Sequence, residues 1–214
     1  MSFPSQTGLA LAAACVSLAI FSSSAVAEQK VGQVVALSGK ATVSHGKRAT
    51  PETLTTQAPV YEKDVIRTEP AAKVKIRFDD GTHVTVAELS SLEIREFVLD
   101  PQPKKPSAVL VLAAGAFRAI VNNVSRRDKF VVQTPTAVAG VRGTDWMGEI
   151  KADSTGIVVL QGEVGVSNIN PAIPGEVILT DRMGTDVKVN QAPTPPKEWS
   201  EARRNALLKA TDLP

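Results

Sequence analysis

Apolar and polar residues alternate with a period of two along most of the chain after residue 27. In the segment 73–78, Val74, Ile76 and Phe78 alternate with basic residues. This spacing places the apolar side chains on one face of a β-strand and the basic side chains on the other. The alternation therefore predicts strands with a buried core on one side.

The loop that follows this strand can be predicted from the same pattern. A two-residue turn would place basic residues opposite apolar ones. A three-residue loop over residues 79–81 instead places Ile76 opposite Val84 and Val74 opposite Val86. Because directly opposed residues share a face of the sheet, this register keeps the apolar row intact. The glycine that ends the loop suits the left-handed conformation such hairpins require, so we predict the three-residue loop.

Further short apolar segments follow, separated by Gly, Pro, Asn and Asp residues. Their length and rhythm indicate an all-β fold, in a sandwich, β-roll or solenoid-like arrangement, with a short C-terminal helix. The strands predicted beyond the hairpin are Asp64–Thr68, Ser91–Phe97, Ala108–Leu112, Ala116–Val121, Phe130–Gln133, Trp146–Ile150, Gly156–Leu160, Val164–Ser167, Val177–Leu179 and Val187–Val189.

A weak repeat runs through these strands. The pattern Leu-x-Gly-x-Z-x-Val, in which Z is a small or branched residue, occurs at Leu37–Val43 and Leu160–Val166, with a looser copy at Leu112–Phe117. Two explanations remain open. The copies are ordinary hairpins with glycine in the turn, or they are repeated coils of a solenoid or roll that stack to bury their apolar faces.

Two proline-rich segments divide the chain. The three prolines of Pro101–Pro106 cannot lie in a central strand, so this segment is predicted to be an exposed loop between two halves of one β-domain, residues 28–192. Residues 193–214 are predicted to form a second proline-rich linker and a short amphipathic helix. Thr194 is the predicted helix cap, with Pro195 in the first turn.

The C-terminal helix is too short to be stable alone in water and needs a surface to pack on. We expect it to dock on its own β-domain, and binding to a partner is the alternative. Arg203, Arg204 and Lys209 are expected to lie mostly off its apolar stripe. The residues of that stripe are Trp199, Ala202, Ala206, Leu207 and Ala210.

The first 27 residues carry no charge and contain an apolar stretch, Gly8–Phe21. The small residues Ala25 and Ala27 form a cleavage signal, so residues 1–27 are predicted to be a secretory signal peptide cut after Ala27, although no basic residue precedes the stretch. The apolar stretch ends before the roughly 20 residues that span a bilayer. The expected location of the mature chain is the periplasm.

Cys15 is the only cysteine, and Leu11-Ala-Ala-Ala-Cys15 loosely resembles the lipobox of bacterial lipoproteins. The apolar core continues beyond Cys15, so a lipoprotein is not expected. Cleavage after Ala27 removes this cysteine. The mature chain is then expected to lack disulfides, cysteine nucleophiles and cysteine-ligated metals.

The charged residues form no recognisable catalytic or metal-binding pattern. A net charge of +2, from 24 basic and 22 acidic residues, gives no electrostatic case for nucleic acid. His45 and His83 lack a second ligand at metal spacing, and His83 is expected to be exposed opposite Arg77. Asp79 and Asp80 occupy a turn, where Asp bonds nearby backbone. We predict no enzymatic activity, no cofactor and no bound metal.

The segment Thr134-Pro-Thr-Ala-Val-Ala-Gly-Val-Arg-Gly-Thr144 lies between two predicted apolar strands. Its arginine carries five donors in a fixed fork and cannot lose its charge. One interpretation is that Arg142 ties a turn to neighbouring carbonyls; the other is that it recognises a partner. The candidate motif or partner-binding residues are Thr134, Pro135, Val141, Arg142, Gly143 and Thr144.

This segment resembles the signature of FecR-type periplasmic domains. One departure is Lys63, where the family usually has glycine before the aspartate. The other segments that resemble the family, in its order, are Val31–Gly39, Tyr61–Thr68, Val74–Thr82, Ser91–Ile94, Val111–Phe117 and Val159–Val166.

The resemblance implies a periplasmic protein-binding or sensing module, an adaptor in envelope signal transduction. Its expected partner is an envelope protein such as an inner-membrane sensor, which exposed edge strands could bind by strand addition. Signalling members carry a cytoplasmic anti-sigma segment and a membrane helix before this domain. Neither segment is expected here, so the resemblance does not imply that this protein controls a sigma factor.

The alternative is a structural or glycan-binding module of the envelope. Glycan platforms use exposed aromatic side chains, and the candidates here are Tyr61, Trp146 and Trp199. Because aromatic residues are few, the adaptor hypothesis is favoured.

Overall fold

The computed structural model of the protein describes residues 29–46, 50–98, 108–122, 130–141 and 143–213. Its strands form two layers, named here sheet A and sheet B, that pack face to face. The predicted signal peptide with Cys15, the segment Pro101–Pro106 and Arg142 lie outside the described residues.

Both sheets are antiparallel throughout the described residues except for one parallel pair, β9 with β10. The long strand β9 (Ala108–Ile120) belongs to both. In spatial order, sheet A consists of β4 (Pro59–Tyr61), β1 (Lys30–Ser38), β6 (Lys73–Phe78), β7 (His83–Val86), β9, β12 (Asp145–Ile150), β13 (Ser154–Gln161), β16 (Met183–Lys188) and β17 (Lys197–Glu198). In the same order, sheet B consists of β3 (Glu52–Thr53), β2 (Ala41–His45), β5 (Asp64–Thr68), β8 (Ser91–Phe97), β9, β10 (Phe130–Gln133), β11 (Ala137–Val141), β14 (Val164–Asn168) and β15 (Glu176–Leu179).

Strand β9 passes from one layer to the other without ending. Residues up to Ala114 pair with β8 in sheet B, and residues from Gly115 onward pair with β12 and then β7 in sheet A. Gly115 has a φ of +88°, a conformation that glycine adopts without steric cost. The prediction of two separate strands, Ala108–Leu112 and Ala116–Val121, is therefore wrong, because a glycine kink redirects the strand instead of terminating it.

The weak repeat marks the places where the chain changes layer. Gly39 joins β1 in sheet A to β2 in sheet B, and Gly162 joins β13 in sheet A to β14 in sheet B. Both glycines have positive φ, as does Gly115 in the third copy. The strands on either side of Gly39 do not pair with each other, so the hairpin explanation is wrong. The repeated unit is a corner between the two sheets.

Other corners use residues that are not glycine. Lys63, between β4 of sheet A and β5 of sheet B, has a φ of +71° and donates its backbone N–H to the carbonyl of Ile94. The left-handed turn that a glycine would favour is thus built here with lysine, whose Cβ crowds the backbone.

We expect Lys63→Gly to stabilise the protein by about 0.5–1 kcal/mol, because glycine removes this backbone strain and the lysine side chain is exposed. Urea unfolding measures the change. Lys63→Ala is the control, since alanine keeps the strain and is expected to give no gain. Equal stability of the two variants would show that Lys63 is unstrained.

The core lies between the sheets as one continuous apolar cluster from Val31 to Val187. Phe78 of sheet A stacks on Phe97 of sheet B with ring centroids 5.1 Å apart. The all-β prediction is confirmed, and so is the three-residue hairpin, since Ile76 pairs with Val84. The ten predicted strands did not include β11, inside the Thr134–Thr144 segment. The strand predicted at 187–189 is β16, which begins at Met183 and ends at Lys188.

Helix α1 (Glu201–Thr211) packs on the outer face of sheet A, so docking on its own domain is observed. The predicted cap at Thr194 is wrong: Ser200 caps the helix and accepts the N–H of Arg203. Thr194 instead accepts the N–H of Asp186. The predicted stripe is right only in part: Trp199 and Leu207 are buried and Ala210 is half-buried, as expected. Ala202 and Ala206 are exposed, whereas the buried or half-buried residues are Arg203, Arg204, Leu207, Leu208, Ala210 and Thr211.

Trp199 lies buried just before the helix, in a groove made by two glycines. A Cβ on Gly184 would lie 2.4 Å from Nε1 of Trp199, and a Cβ on Gly156 would lie 2.8 Å from its ring. Arg203 stacks on the indole, with Cζ 3.3 Å from the ring centroid. At the other end of the helix, Nζ of Lys73 donates to the carbonyls of Lys209 and Asp212. The segment is therefore anchored at both ends.

Arg203 also binds two carboxylates of sheet A, Glu149 and Asp186, each with a closest contact of 2.6 Å. Burial raises the pKa of Asp186, but the hydrogen bonds and positive charge of Arg203 outweigh it and hold the pKa below its ordinary value of 3.8. A carboxyl group with a lowered folded pKa stabilises the fold above its unfolded pKa and loses this contribution as pH falls.

We therefore expect docking of α1 to weaken as the pH falls below 3.8. Amide exchange in the helix measures this. In the Asp186→Asn variant, the helix amides should exchange faster at neutral pH, and their exchange rate should change less as the pH falls. Identical pH profiles for the two proteins would contradict the role given to this ion pair.

No helix in the described part of the chain combines the length and apolar character needed to cross a bilayer.

Candidate protein-binding face

The two outer faces of the sandwich differ. Helix α1 covers part of the outer face of sheet A, whereas no described helix or strand packs on the outer face of sheet B. This second surface is named here the open face. Two rows of side chains make it up, and each row crosses the sheet from strand to strand. The first row is Ser44, Val65, Glu93, Val111, Gln133, Val138, Ser167 and Glu176, and the second is Glu96, Val109, Val131, Gly140, Gly165 and Ile178.

The centre of the open face is apolar. Val111, Val131 and Val138 are half-buried, and Ile178 is 49% exposed. No described atom lies within 4 Å of the position a Cβ on Gly140 would take. The outward face of an antiparallel sheet in water normally carries polar side chains. An apolar centre without a covering element therefore indicates a contact surface.

Charged groups lie at one end of this face. Arg95 donates to the side-chain oxygen of Gln133 at 2.8 Å and lies 3.5 Å from Glu93. The side chain of Arg67 is exposed, and no hydrogen bond or ion pair joins it to another described residue. A guanidinium left in this state can bind a carboxylate with two parallel hydrogen bonds.

A cleft of about 330 Å³ opens beside Arg67. Val65 and Val111 give it an apolar floor, and Ser44 and Ser91 line it with hydroxyl groups. Glu93 also lines the cleft but lies 3.5 Å from Arg95, so Arg67 is the group that can hold an acidic side chain with an apolar neighbour. The cleft lies where the basic end of the open face meets its apolar centre.

The predicted motif residues serve mainly the interior. Oγ1 of Thr134 accepts the N–H of Ala137 at 2.9 Å and lies 2.8 Å from Oγ1 of Thr155 in sheet A. Thr136 donates to the same Thr155 hydroxyl at 2.8 Å. All three threonines are buried, so they tie the turn between β10 and β11 to the opposite sheet. Pro135, between them, is exposed.

The other end of the motif forms a corner between the sheets. Val141 and Thr144 are buried, and Thr144 donates to the carbonyl of Glu163 at 2.9 Å. Gly143 has a φ of +57°, in the left-handed region that glycine adopts without steric cost. Arg142 lies outside the described residues. Partner binding by this motif stays a prediction. Thr134, Val141 and Thr144 are buried and leave little surface for a partner to contact.

Asp145, which follows the motif, has a partner on the neighbouring strand. Nε and Nη2 of Arg118 donate to its two carboxylate oxygens at 2.9 and 2.7 Å. These hydrogen bonds raise the pKa of Arg118 above its ordinary value, with a smaller opposing effect of burial. The pair lies on the outer face of sheet A, away from the open face.

The two histidines contribute to the fold. Nδ1 of His45 lies 2.8 Å from Oδ1 of Asp64, whose other oxygen accepts the N–H of Tyr61. His83 pairs with Arg77 as predicted, but it is half-buried in a small cleft under the end of α1, so the expectation of an exposed histidine is wrong. Among the described residues, no three His, Cys, Asp or Glu side chains gather in a way that could hold a metal ion.

The open face was not predicted, although the sequence contains a signal for it. The run Ala108-Val-Leu-Val-Leu112 is apolar at every position, so β9 has apolar side chains on both faces. A fully apolar strand normally indicates burial on both sides. Here Leu110 and Leu112 face the core, and Val109 and Val111 face outward.

The family model described as FecR protein matches residues 64–165, and no curated protein matches. Two crystal structures of a protein from Parabacteroides distasonis ATCC 8503, described as a candidate anti-sigma factor and determined at 2.50 and 1.65 Å resolution, superpose with a TM-score of 0.54 at 14% identity. The match covers 67% of this chain and 63% and 64% of those chains, less than two thirds of their length. At this identity the likeness shows the fold alone.

Proposed function

Because residues 64–165 belong to the FecR family, we propose that this protein is a periplasmic protein-binding module, an adaptor in signal transduction across the bacterial envelope. The family match supports a regulatory role. The name of the structurally similar protein, an anti-sigma factor candidate, agrees with such a role. The periplasmic location in the proposal comes from the predicted signal peptide.

The open face is the observation that carries this proposal. Apart from Gln133, its centre is apolar across strands β9, β10 and β11, while part of the opposite side of the sandwich is already covered by α1. Contiguous apolar surface rimmed by polar groups marks protein interfaces in soluble proteins. The flatness of a sheet face suits another protein better than a small ligand, which needs a deep pocket.

The charges at the rim indicate what the partner carries. Arg67 and Arg95 lie at one end of the open face, and Arg67 has no described partner. We propose a partner with an apolar centre and an acidic residue that enters the cleft beside Arg67. Such a charge at an interface rim sets orientation and association rate more than affinity.

The glycan-binding alternative loses its main candidates. Trp146 and Trp199 are 0% and 2% exposed, so neither can stack on a sugar ring. Tyr61 is half-buried and packs edge-on against His45. The adaptor hypothesis therefore remains the better supported of the two.

The test is affinity capture of the tagged protein from its native envelope after crosslinking, with quantitative mass spectrometry. Val138→Glu places a charge in the apolar centre of the open face and should lower recovery of the dominant partner at least about ten-fold, since a desolvated unpaired charge costs several kcal/mol. The matched control is Ala202→Glu, which adds the same charge at an exposed position on α1.

Three outcomes are informative. Recovery of one membrane sensor or transducer by the wild type and by Ala202→Glu, and its loss in Val138→Glu, supports the proposal. Equal recovery by all three proteins contradicts the open face as the binding surface. Recovery of wall enzymes or wall fragments alone contradicts the adaptor role and favours the structural alternative.

A further inference from the structure

Strand β15 forms one edge of sheet B. Its ladder partner is β14, with Ser167 opposite Glu176 and Gly165 opposite Ile178. Within the described part of the chain, no other backbone group bonds to residues 176–179. One side of this strand therefore presents N–H and C=O groups that another extended chain can pair with.

In the described part of the sandwich, the other three sheet edges are protected. Strands β3 and β17 are only two residues long, and β17 follows directly on Pro195 and Pro196. Strand β4 begins at Pro59, which has no N–H to offer. Short length and proline are the usual means by which proteins block edge pairing. Strand β15 has four residues, no proline and no lysine.

The side chains of β15 are suited to a contact. Ile178 projects on the open face, where it is 49% exposed and extends the apolar row past Gly165. Glu176 is exposed at the start of the strand. Its carboxylate oxygen would lie 2.7 Å from a Cβ on Gly165, so it bends over the sheet surface. The edge thus combines a free backbone, an apolar side chain and one negative charge.

We propose that the partner binds by adding an extended strand to β15, antiparallel to it. This inference rests on the proposed function, because strand addition is the way in which the protein partner of the open face would be held. The added strand alternates apolar residues, one of which rests against Ile178, and carries Lys or Arg opposite Glu176. Main-chain hydrogen bonds supply affinity, and the alternating side chains supply specificity.

The first probe is a synthetic peptide that copies residues 160–170 and so contains β14, the strand that already matches β15 in register. In one peptide Ser167→Lys faces Glu176, and in its control Ser167→Glu faces the same carboxylate. We expect the lysine peptide to bind about five-fold more tightly, since opposed charges and like charges across a ladder differ by about 1 kcal/mol.

Hydrogen exchange of the full protein is the second measurement. Amides of β15 should exchange rapidly in the free protein and become protected when the lysine peptide binds. Equal affinity for the two peptides, or no protection at β15, overturns strand addition. If the β15 amides are already protected in the free protein, a segment of this chain occupies the edge, and strand addition is overturned as well. Dimerisation through β15, measured by sedimentation, overturns it in favour of a second copy.

Retention of the partner by Ile178→Lys is the outcome that separates this inference from the proposed function, because Ile178 also lies on the open face. A lysine on an edge strand blocks strand addition, and Val189→Lys is the control because Val189 is similarly exposed, at 52%, and lies off the edge. In envelope capture, Ile178→Lys should lose the partner at least about five-fold relative to Val189→Lys. If Val138→Glu loses the partner and Ile178→Lys retains it, strand addition is wrong and the open face stands.

Discussion

Replacing Trp199 with alanine is expected to release the C-terminal helix from the sandwich. The indole is 2% exposed and fills the groove over Gly156 and Gly184, so its removal leaves a large cavity. Arg203 also loses the ring on which it stacks. Truncation of a buried tryptophan costs about 3–5 kcal/mol. Amide exchange within Glu201–Thr211 should therefore accelerate by about a hundred-fold or more.

The rest of the fold should persist in this variant, because the apolar cluster under α1 is separate from the main core. Trp199→Phe is the matched control. None of the described residues accepts a hydrogen bond from Nε1 of Trp199, so phenylalanine sacrifices no hydrogen bond and should cost less than about 2 kcal/mol. Unchanged exchange in the alanine variant would mean that the helix is held by its ion pairs alone.

Gly115→Val is expected to destabilise the sandwich by about 2–5 kcal/mol. A Cβ at this position would lie 2.0 Å from Oγ and 2.7 Å from Cα of Ser90, and the φ of +88° is unfavourable for a branched side chain. Backbone strain contributes about 1–2 kcal/mol and the clash about 1–3 kcal/mol. Because both sheets bond to β9, the lost stability should affect the whole domain.

Urea unfolding measures this loss, and Gly140→Val is the control. Gly140 also lies in a strand, but its φ is not positive and no described atom lies within 4 Å of its Cβ position. Valine there should be tolerated or slightly stabilising, since glycine weakens strands. If both variants unfold at the same urea concentration as the wild type, the positive φ of Gly115 is not required for the stability of the fold.

Much of the fold could be predicted from the sequence where burial follows a simple period. Asp64–Thr68, Ser91–Phe97 and Phe130–Gln133 are strands with the predicted bounds. Alternation identifies such strands because one face is core and the other is water. It cannot show which sheet a strand joins. That depends on corners such as Gly115 and Lys63, whose backbone conformations leave little trace in the hydrophobic pattern.

The helix packs on sheet A with a face that differs in part from the predicted stripe, for a physical reason. Its inward side contacts sheet A partly through Arg203, which is neutralised by Glu149 and Asp186, rather than through alanines. Periodicity assumes that apolar residues face inward. An ion pair between distant strands and a helix cannot be seen in a local pattern.

The open face could not be predicted from periodicity because apolar residues on both faces of β9 look like a buried strand. Only the arrangement of the chain shows that Val111 and Val138 have no described element above them. The motif at residues 134–144 shows the reverse case, in which polar residues are buried instead of exposed. Thr134 and Thr144 are polar in sequence but buried and hydrogen-bonded in the fold.

The central claim is that the open face contacts a protein partner in the envelope. Site-specific photocrosslinking tests it most directly, with a photoreactive amino acid placed at Val138 and, in a separate protein, at Ala202 on the helix side. We predict one dominant adduct from position 138, identified by mass spectrometry as a signalling protein of the envelope, and none from position 202. The same adducts from both positions, or none from position 138, would contradict the account.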